Sequence, residues 1–476
     1  MLARSFQRLR PARVRAAVSQ KNYSVDNWIS EDEPSSNGKR MNFGKELLQD
    51  KDKIRFGWSK EVVKQCLPFT SDLINSRRSY DNLAVGYSLQ QPPLVDDEHP
   101  MGRRRVDDSW LELIIPFADQ ESLRENMCRA DRKTVRYGRL FELLDALAGD
   151  VAYRHCGGRK GNLTIVTASV DGFCNFSSID VLHNIKMQGY ITYVGSSSME
   201  VAIDIVQMCD DSRHEQKVLA ETKFIMVARD GEKALKVPGL LLANEQAKEI
   251  FDLGAERACT RRVRAKQSLA VSPPRPEEVN LIHNLMLSPK QQVAMGVASV
   301  AGVGGVGGVR GLEGKAKSMA STVFKSSQLM HLQNRNVHGK IFGGYIMKKS
   351  FELAYVAACL FCREEYIHFL FVDDIQFVKP MNVGSVAEFS ATVTYSREGH
   401  VVVRVVAMVI DTFTGQRSKT NVLNLIFRSR KDPTTEIVSA YGGTIPQVLP
   451  STYDEVMLYL EGKRSLDQLL YNRCEV

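Results

Sequence analysis

The chain has 476 residues, with 63 Lys and Arg against 55 Asp and Glu, a formal net charge of +8 and 9 Cys. This length exceeds the roughly 250–300 residues that one hydrophobic core usually serves, so the sequence predicts two or more domains. Its 43% hydrophobic and 25% charged residues are typical of globular domains and exclude a disordered or fibrous chain. The few, scattered cysteines exclude a disulfide scaffold and favour a reduced, intracellular compartment.

Most of the net charge lies at the N-terminus. Residues 1–25 contain six Lys or Arg and no acid, which leaves 57 basic and 55 acidic residues for 26–476. Serines and isolated apolar residues stand among these arginines, as in a mitochondrial transit peptide, so we expect a mitochondrial location, in the matrix or associated with the inner membrane. A basic arm that binds nucleic acid is disfavoured because no Lys or Arg stripe follows, and we expect no nucleic-acid partner.

The longest uncharged stretch lies between Lys290 and Arg310. Its 19 residues include two Gln and six Gly, so it is too short and too rich in glycine for a membrane span of about 20 apolar residues. We therefore expect no stable membrane insertion and interpret 293–314 as a flexible Gly/Val insert. A G-x-G-x-x-G pattern begins at Gly302, but no acid follows about 20 residues later, so we expect no dinucleotide site there.

The first compact region begins with a short apolar run. Trp110–Ile115 has the composition of a strand, and Arg136–His155 carries apolar residues at the spacing of a helix with one wide apolar face. Four runs rich in β-branched residues follow, at Leu163–Val170, Lys186–Val194, Met199–Met208 and Val218–Ala228. The short polar interruptions between these runs predict a meandering antiparallel sheet.

The same order of elements recurs about 200 residues later. A helix is predicted at about Gly344–Cys359, and four strand-like runs follow it, at Phe369–Val378, Val386–Tyr395, Val401–Ile410 and Thr420–Phe427. Local matches support a repeat, since Gly138 and Gly344 stand at the two helix starts. A long helix followed by antiparallel strands predicts an α+β domain in which a curved sheet packs on the helix, present as two tandem copies that form a pseudo-symmetric pair.

These patterns divide the chain into six regions. They are a transit peptide (1–25), an N-terminal extension (26–107), a first domain (108–235), a helical and Gly/Val-rich linker (236–320), a second domain (321–432) and a C-terminal tail (433–476). Within the linker we predict helices at Leu240–Ala265 and Glu277–Leu287, separated by a proline-rich break. The tail has a helical segment at Tyr453–Tyr459, which we interpret as a peripheral flap.

The segment Asn334–Met347 carries the most chemical information. Its Gly343-Gly344 pair stands where the chain enters the second predicted helix. Glycine allows a ligand to approach the backbone, and free N–H groups at a helix start point towards that ligand. This arrangement suits a carbonyl oxygen that becomes negatively charged during acyl transfer, although a structural turn explains the glycines nearly as well.

The same segment resembles a known signature, that of the hotdog-fold acyl-coenzyme A thioesterases. The motif is Asn336-x-x-Gly339-x-x-Phe342-Gly343-Gly344-x-x-Met347, and further matching segments are Val135–Gly138, Leu144-Asp145, Gly195–Val201, Met226–Asp230, Val372–Asp374 and Tyr453–Leu460. Over roughly residues 45–290 and 320–465 the chain resembles the mitochondrial double-hotdog thioesterases of the nine and ten group. The resemblance implies two tandem hotdog domains, each a long helix wrapped by a curved antiparallel sheet, which form a pseudo-dimer.

The resemblance also implies a site between the repeats, built from an Asn of one repeat and an acid of the other. The acid lies seven residues after the glycine that opens the helix, which gives Asp145 in the first repeat and Phe351 in the second. The asparagine position is Asn336 in the second repeat and Ala130 in the first. We therefore expect one composite site, with Asp145 and Asn336, and a second interface that lacks both groups.

The implied reaction is hydrolysis of an acyl-CoA substrate to free fatty acid and CoA, without a cofactor or a metal. Asp145 would activate water or attack the thioester directly, and Asn336 would orient the water or the carbonyl group. The amides of Gly343 and Gly344 would stabilise the oxyanion. The small and apolar helix neighbours of Asp145 predict that its carboxylate is partly buried and that its pKa is raised.

Lys348 and Lys349 are candidates for contacts with CoA phosphates, although a solvated helix face explains them equally well. Glu352 is a substitute acid next to Phe351, but it lies about 100° further round the helix. Members of the resembled family tend to assemble, so a homo-oligomer, a trimer of double-hotdog units, is expected.

Two alternative functions remain open from the sequence. The first is an enoyl-CoA hydratase that uses Asp150 and His155, which have the spacing of the acid and histidine in hydratases of related fold. Residues five apart lie about 140° from each other on a helix, so we prefer a helix-end acid and a histidine stabilised by the helix dipole. The second alternative is a non-catalytic acyl-CoA-binding protein.

Overall fold

The computed structural model describes residues 86–88 and 102–474, apart from 119–120, 131–133, 159–161, 176–178, 209–216, 232, 288–315, 337, 374 and 431–444. The predicted transit peptide, most of the N-terminal extension and the Gly/Val insert with its G-x-G-x-x-G pattern lie outside the described residues.

The first half of the chain contains seven described strands and four described helices. The strands are β1 (Gly86–Ser88), β2 (Leu111–Ile115), β3 (Leu163–Asn175), β4 (Ile185–Val194), β5 (Ser198–Gln207), β6 (Lys217–Asp230) and β7 (Lys233–Ala234). The helices are α1 (Glu121–Met127), α2 (Tyr137–His155), α3 (Glu245–Lys266) and α4 (Pro276–Met286).

The second half repeats this plan. Its strands are β8 (Ala316–Ser318), β9 (Phe324–Leu329), β10 (His368–Val372), β11 (Ile375–Phe377), β12 (Val386–Arg397), β13 (His400–Ile410), β14 (Arg417–Arg428) and β15 (Gln447–Leu449). Its helices are α5 (Gly343–Cys362) and α6 (Tyr453–Cys474). No helix in the described ranges is both long and apolar enough to cross a membrane.

Thirteen of the described strands form one sheet across both repeats. The order is β1-β2-β4-β5-β6-β3-β10-β14-β13-β12-β9, with β11 beside β3 and β14, and β7 beside β6. Helices α2 and α5 pack against this sheet and against each other. Apolar or small residues occur on every face of α2, and all its residues except Arg139 are buried. The predicted α+β class, with two tandem hotdog domains in a pseudo-dimer, is confirmed.

The two repeats meet along β3, which pairs antiparallel with β10 and β11. Cys174 lies opposite Phe371, and Ser169 lies opposite Gln376. Gln376 lies 202 positions after Cys174, and Phe371 lies 202 positions after Ser169. The two pairs are therefore equivalent when the repeats are exchanged. This symmetric register defines a pseudo-two-fold axis at the seam.

The central helices obey the same symmetry with an offset of 206 residues. A Cβ atom at Gly344 would lie 2.8 Å from Cα of Glu142, and one at Gly138 would lie 3.1 Å from Cγ of Lys348. The glycines therefore let α2 and α5 cross closely. Glu142 and Lys348 occupy equivalent positions on the two helices, and their side chains form a buried ion pair of 3.4 Å between Nζ and Oε2.

Each repeat also has a second long helix, in addition to α2 or α5, that packs against its strands. Helix α3 packs against the first repeat and α6 against the second, with Gly254 and Gly462 at their closest approaches to the strands. Ion pairs hold α3 in place, since Glu200 of β5 contacts Arg257 at 2.6 Å and Arg261 at 2.7 Å. The predicted C-terminal flap is thus part of a 22-residue helix that buries apolar residues on the second repeat.

Candidate active site

Asp145 lies on α2, in the contact between the two central helices. Its side chain is 3% exposed. Oδ1 accepts a hydrogen bond of 2.7 Å from the Thr167 hydroxyl on β3, and Oδ2 accepts one of 2.6 Å from the Gly344 N–H of the second repeat. Burial raises the pKa of Asp145 to about 6, and the hydrogen bonds from Thr167 and Gly344 oppose the rise. The group is therefore an ionised base near neutral pH.

The N-terminus of α5 faces this carboxylate. A Cβ atom at Gly343 would lie 2.9 Å from Oδ2 of Asp145, so only glycine allows the approach. The first N–H groups of a helix have no intrahelical acceptor and favour a negative charge. The structure differs here from the sequence expectation, because the Gly344 N–H is occupied by Asp145 and only Gly343 is left as a backbone donor for an oxyanion.

Asn336 lies in the loop that precedes α5, and its side chain is fixed by its own backbone. Oδ1 accepts hydrogen bonds from the N–H groups of His338, at 2.9 Å, and Lys340, at 3.1 Å. Gly339 follows with a positive φ of 72°, which the tight loop requires. Asn336 makes no hydrogen bond to Asp145, and among the described residues nothing accepts from its Nδ2. The amide nitrogen is therefore available as a donor.

The comparisons with known proteins identify the family of the chain. No family model matches the chain. Mouse mitochondrial acyl-coenzyme A thioesterase 10 is 33% identical over 369 residues, which cover 76% of this chain and 78% of that protein. Human mitochondrial acyl-coenzyme A thioesterase 9 is 32% identical over 383 residues, which cover 79% and 81% of the two chains. The chain belongs to this thioesterase family.

A solved structure is also similar to this family member. It is an acyl-CoA hydrolase from Staphylococcus aureus in complex with butyryl coenzyme A, coenzyme A and coenzyme A disulfide. It shares 22% sequence identity, covers 34% of this chain and 93% of its own, and gives a TM-score of 0.30.

The equivalent interface on the other side of the axis is apolar in this family member. We call it the Phe351 interface, and the one with Asp145 the Asp145 interface. Phe351 replaces the acid, and Phe369, 202 positions after Thr167, replaces the hydroxyl. Their rings lie 5.0 Å apart, edge to face, and Phe141 packs 5.5 Å from Phe351. Ala130, at the asparagine position, is exposed.

The remaining sequence candidates of α5 are two lysines and a glutamate. Lys348 is 8% exposed and paired with Glu142, so the hypothesis that it contacts CoA phosphates is wrong. Lys349 is half-buried, with Nζ 5.7 Å from the Tyr345 ring. Glu352 accepts a hydrogen bond of 2.8 Å from Arg136, so it is engaged at the edge of the Phe351 interface.

The hydratase candidates do not form a catalytic pair. His155 is fully buried, its Nε2 is 2.8 Å from the carbonyl oxygen of Pro238, and Nδ1 has no partner among the described residues. Its imidazole therefore makes no hydrogen bond to Asp150. Burial lowers the pKa of His155 to about 4, so the side chain is neutral. The interpretation that a charged His155 is stabilised by the helix dipole is wrong, because the cost of burying the charge is larger than any stabilisation by the dipole.

Thr167 is a site residue that the sequence did not reveal. Threonine is common in strands, and nothing near it in the sequence separates it from the other polar residues of β3. Its position two residues after the buried Ile165 indicates only which face of the strand it occupies. Once the strand offset of 202 residues is known, Thr167 aligns with Phe369 of the second repeat. This difference between the repeats is the signal that identifies Thr167.

Proposed function

We propose that the chain hydrolyses acyl-CoA thioesters to free fatty acid and CoA at one composite site, the Asp145 interface. The observation that carries the proposal is the buried Asp145 carboxylate, with a pKa of about 6, held between Thr167 of its own repeat and Gly344 of the other. Such a base is ionised at neutral pH and still basic enough to take a proton from water.

The reaction is a nucleophilic attack of water on the thioester carbonyl carbon. Asp145 takes a proton from the attacking water as the carbon–oxygen bond forms. The carbonyl oxygen becomes an oxyanion, which accepts hydrogen bonds from the Gly343 N–H and from Nδ2 of Asn336. The carbon–sulfur bond then breaks, and the CoA thiolate takes the proton from Asp145, so the carboxylate is restored.

The contacts of the Asn336 side chain favour one of its two suggested roles. Its oxygen accepts from two backbone N–H groups of its own loop. An oxygen so occupied is a poor acceptor for water, whereas the amide nitrogen is a donor that suits the thioester carbonyl. We assign Asn336 to the carbonyl oxygen.

Release of CoA thiol tests the proposal. Asp145→Ala should lower kcat by about 10²–10⁴-fold and Asn336→Ala by about 10²–10³-fold, because the first removes the base and the second an oxyanion donor. Glu352→Ala is the matched control, since it removes an acid at the Phe351 interface, and it should leave turnover unchanged. Near wild-type turnover of Asp145→Ala or Asn336→Ala would contradict its assigned role.

The alternatives give different results in the same experiment. A hydratase would remove the absorbance of an enoyl-CoA without releasing thiol, and a binding protein would bind acyl-CoA tightly with no thiol release across short, medium, long and branched acyl chains. Either outcome for the wild-type chain would overturn the proposal.

Location and assembly are part of the proposal. The acid-free basic segment 1–25 and the mitochondrial relatives support import into mitochondria, and we place the enzyme in the matrix or on the inner membrane. Fractionation of tagged chain, with and without residues 1–25, tests this. We also propose a homotrimer of double-hotdog units, which light scattering would detect as three times the 53.4 kDa chain mass.

A further inference from the structure

His338 belongs to the loop of the second repeat, but its side chain reaches into the first. Its Nε2 lies 3.2 Å from the Tyr153 hydroxyl of α2 and 3.3 Å from the Ile165 carbonyl oxygen of β3. A carbonyl oxygen can only accept, so Nε2 carries the proton in this contact. Tyr153 is itself fixed, because its hydroxyl accepts a hydrogen bond of 3.2 Å from the Ile165 N–H.

The same residue is joined to Asn336. The backbone N–H of His338 donates the 2.9 Å hydrogen bond to Oδ1 of Asn336. The ring of His338 thus contacts the first repeat, while its backbone N–H holds the side-chain amide of Asn336. Any displacement of His338 displaces the donor that the thioester carbonyl requires.

Both halves of the site are positioned from one strand. Ile165 and Thr167 are two residues apart on β3, and each contacts one half of the site, Ile165 through its backbone carbonyl and Thr167 through its hydroxyl. Thr167 holds Asp145, while the Ile165 carbonyl and Tyr153 hold His338 and, through it, Asn336. Strand β3 therefore contacts both the base and, through His338, the carbonyl donor.

We propose that His338 is a positioning residue of the Asp145 interface, which fixes Asn336 against the first repeat. This rests on the proposed hydrolysis. Misplacement of a catalytic group by about 1 Å costs up to about 10²-fold in rate. His338→Ala should accordingly lower kcat by about 10- to 100-fold and change KM little, because the Asn336 donor acts on the developing oxyanion.

Conservative variants separate positioning from simple packing. His338→Gln keeps an N–H donor for the Ile165 carbonyl and should recover most of the lost kcat. Tyr153→Phe removes one of the two contacts and should have a smaller effect than His338→Ala. A double variant sharpens the test: on an Asn336→Ala background, His338→Ala should cause no further loss, because it acts through Asn336.

The Phe351 interface supplies the matched control. Tyr355 of α5 accepts a hydrogen bond of 3.1 Å from the Ile367 N–H, and Arg129 of the first repeat donates to the same hydroxyl and stacks on the ring. Ile367 lies 202 positions after Ile165, so this is the related contact on the side without a catalytic acid. Tyr355→Phe should leave kcat unchanged.

The outcomes are distinct. Wild-type chain that releases no thiol overturns the proposed function. Wild-type release combined with undiminished kcat of His338→Ala overturns the positioning role alone. The role also fails if His338→Gln is as slow as His338→Ala, or if the losses of His338→Ala and Asn336→Ala multiply in the double variant. If His338→Ala does not fold, His338→Gln and Tyr153→Phe decide by the same kcat comparison with Tyr355→Phe.

Discussion

The two interfaces of the pseudo-dimer have the same backbone plan and opposite interiors. At the Asp145 interface, Thr167 and a helix N-terminus hold a buried carboxylate. At the Phe351 interface the equivalent positions carry Phe351 and Phe369, which pack 5.0 Å apart. A buried carboxylate is costly, whereas an aromatic cluster contributes packing and burial energy. One interface therefore holds a buried carboxylate, and the packing energy of the other offsets its cost.

The largest effect should come from removing one ring from the aromatic cluster of the Phe351 interface. Phe351→Ala leaves a cavity among the rings of Phe141, Phe369 and Phe427, and should lower the free energy of unfolding by about 3–5 kcal/mol. Urea denaturation measures this. Turnover of the folded variant should stay close to wild type, and a specific loss of turnover at unchanged stability would break the comparison.

Features that the two repeats share should respond alike. A Cβ atom at Gly254 would lie 2.5 Å from Cβ of Tyr193, and one at Gly462 would lie 2.7 Å from Oγ1 of Thr394. Gly254→Ala and Gly462→Ala should therefore each cost about 1–3 kcal/mol, because α3 and α6 must shift from their strands. Gly239→Ala, with its nearest atom 3.9 Å away, is the control. A cost in only one repeat would contradict the equivalence.

Removing the acid should stabilise the fold. The pKa of Asp145 rises from its ordinary value of 3.8 to about 6 on folding, so the native state holds the proton more tightly than the unfolded state. Stability is then fully present below the unfolded pKa and falls as pH rises towards about 6. Asp145→Asn should gain about 1–3 kcal/mol at pH 7.5 and little near pH 3. An equal gain at both pH values would argue against burial as the cause.

The pH dependence of turnover is the smallest effect. If Asp145 must be ionised, kcat/KM should fall about tenfold per pH unit below about pH 6, equivalent to roughly 1.4 kcal/mol per unit, and level off above it. Thiol release across pH 4.5–8 measures the profile, checked against Glu352→Gln, which should leave the midpoint unchanged. A midpoint near 4 would indicate an ordinary, solvated carboxylate.

Much of the fold follows from local pattern. The predicted helix Arg136–His155 is observed as Tyr137–His155, because its apolar spacing is a property of the segment itself. The pattern fails where a distant contact decides. The helix predicted at Tyr453–Tyr459 continues to Cys474, and Gly462 within it packs closely against β12. The predicted run Phe369–Val378 is two strands, interrupted at Asp373, which accepts from Ser465.

The site divides in the same way. Asn336 and the two glycines belong to one continuous motif, and Asp145 follows from its spacing after the glycine that opens the first central helix. The roles of Thr167 and His338 follow from neither, because they depend on atoms that meet only when α2, β3 and the loop before α5 fold together. The use of the Gly344 N–H by Asp145, across 199 residues, is likewise set by the crossing of the helices.

The ion pair between Glu142 and Lys348 joins equivalent positions of the two repeats that carry opposite charges. In a symmetric dimer these two equivalent positions would hold the same residue, facing itself across the axis. Two copies of the first half would bring together two carboxylates, and two copies of the second half two ammonium groups. The unlike pairing places opposite charges in this buried position, where Arg139 of α2 also contacts the Glu142 carboxylate at 3.3 Å. The two halves therefore carry complementary charges at the point where their central helices cross.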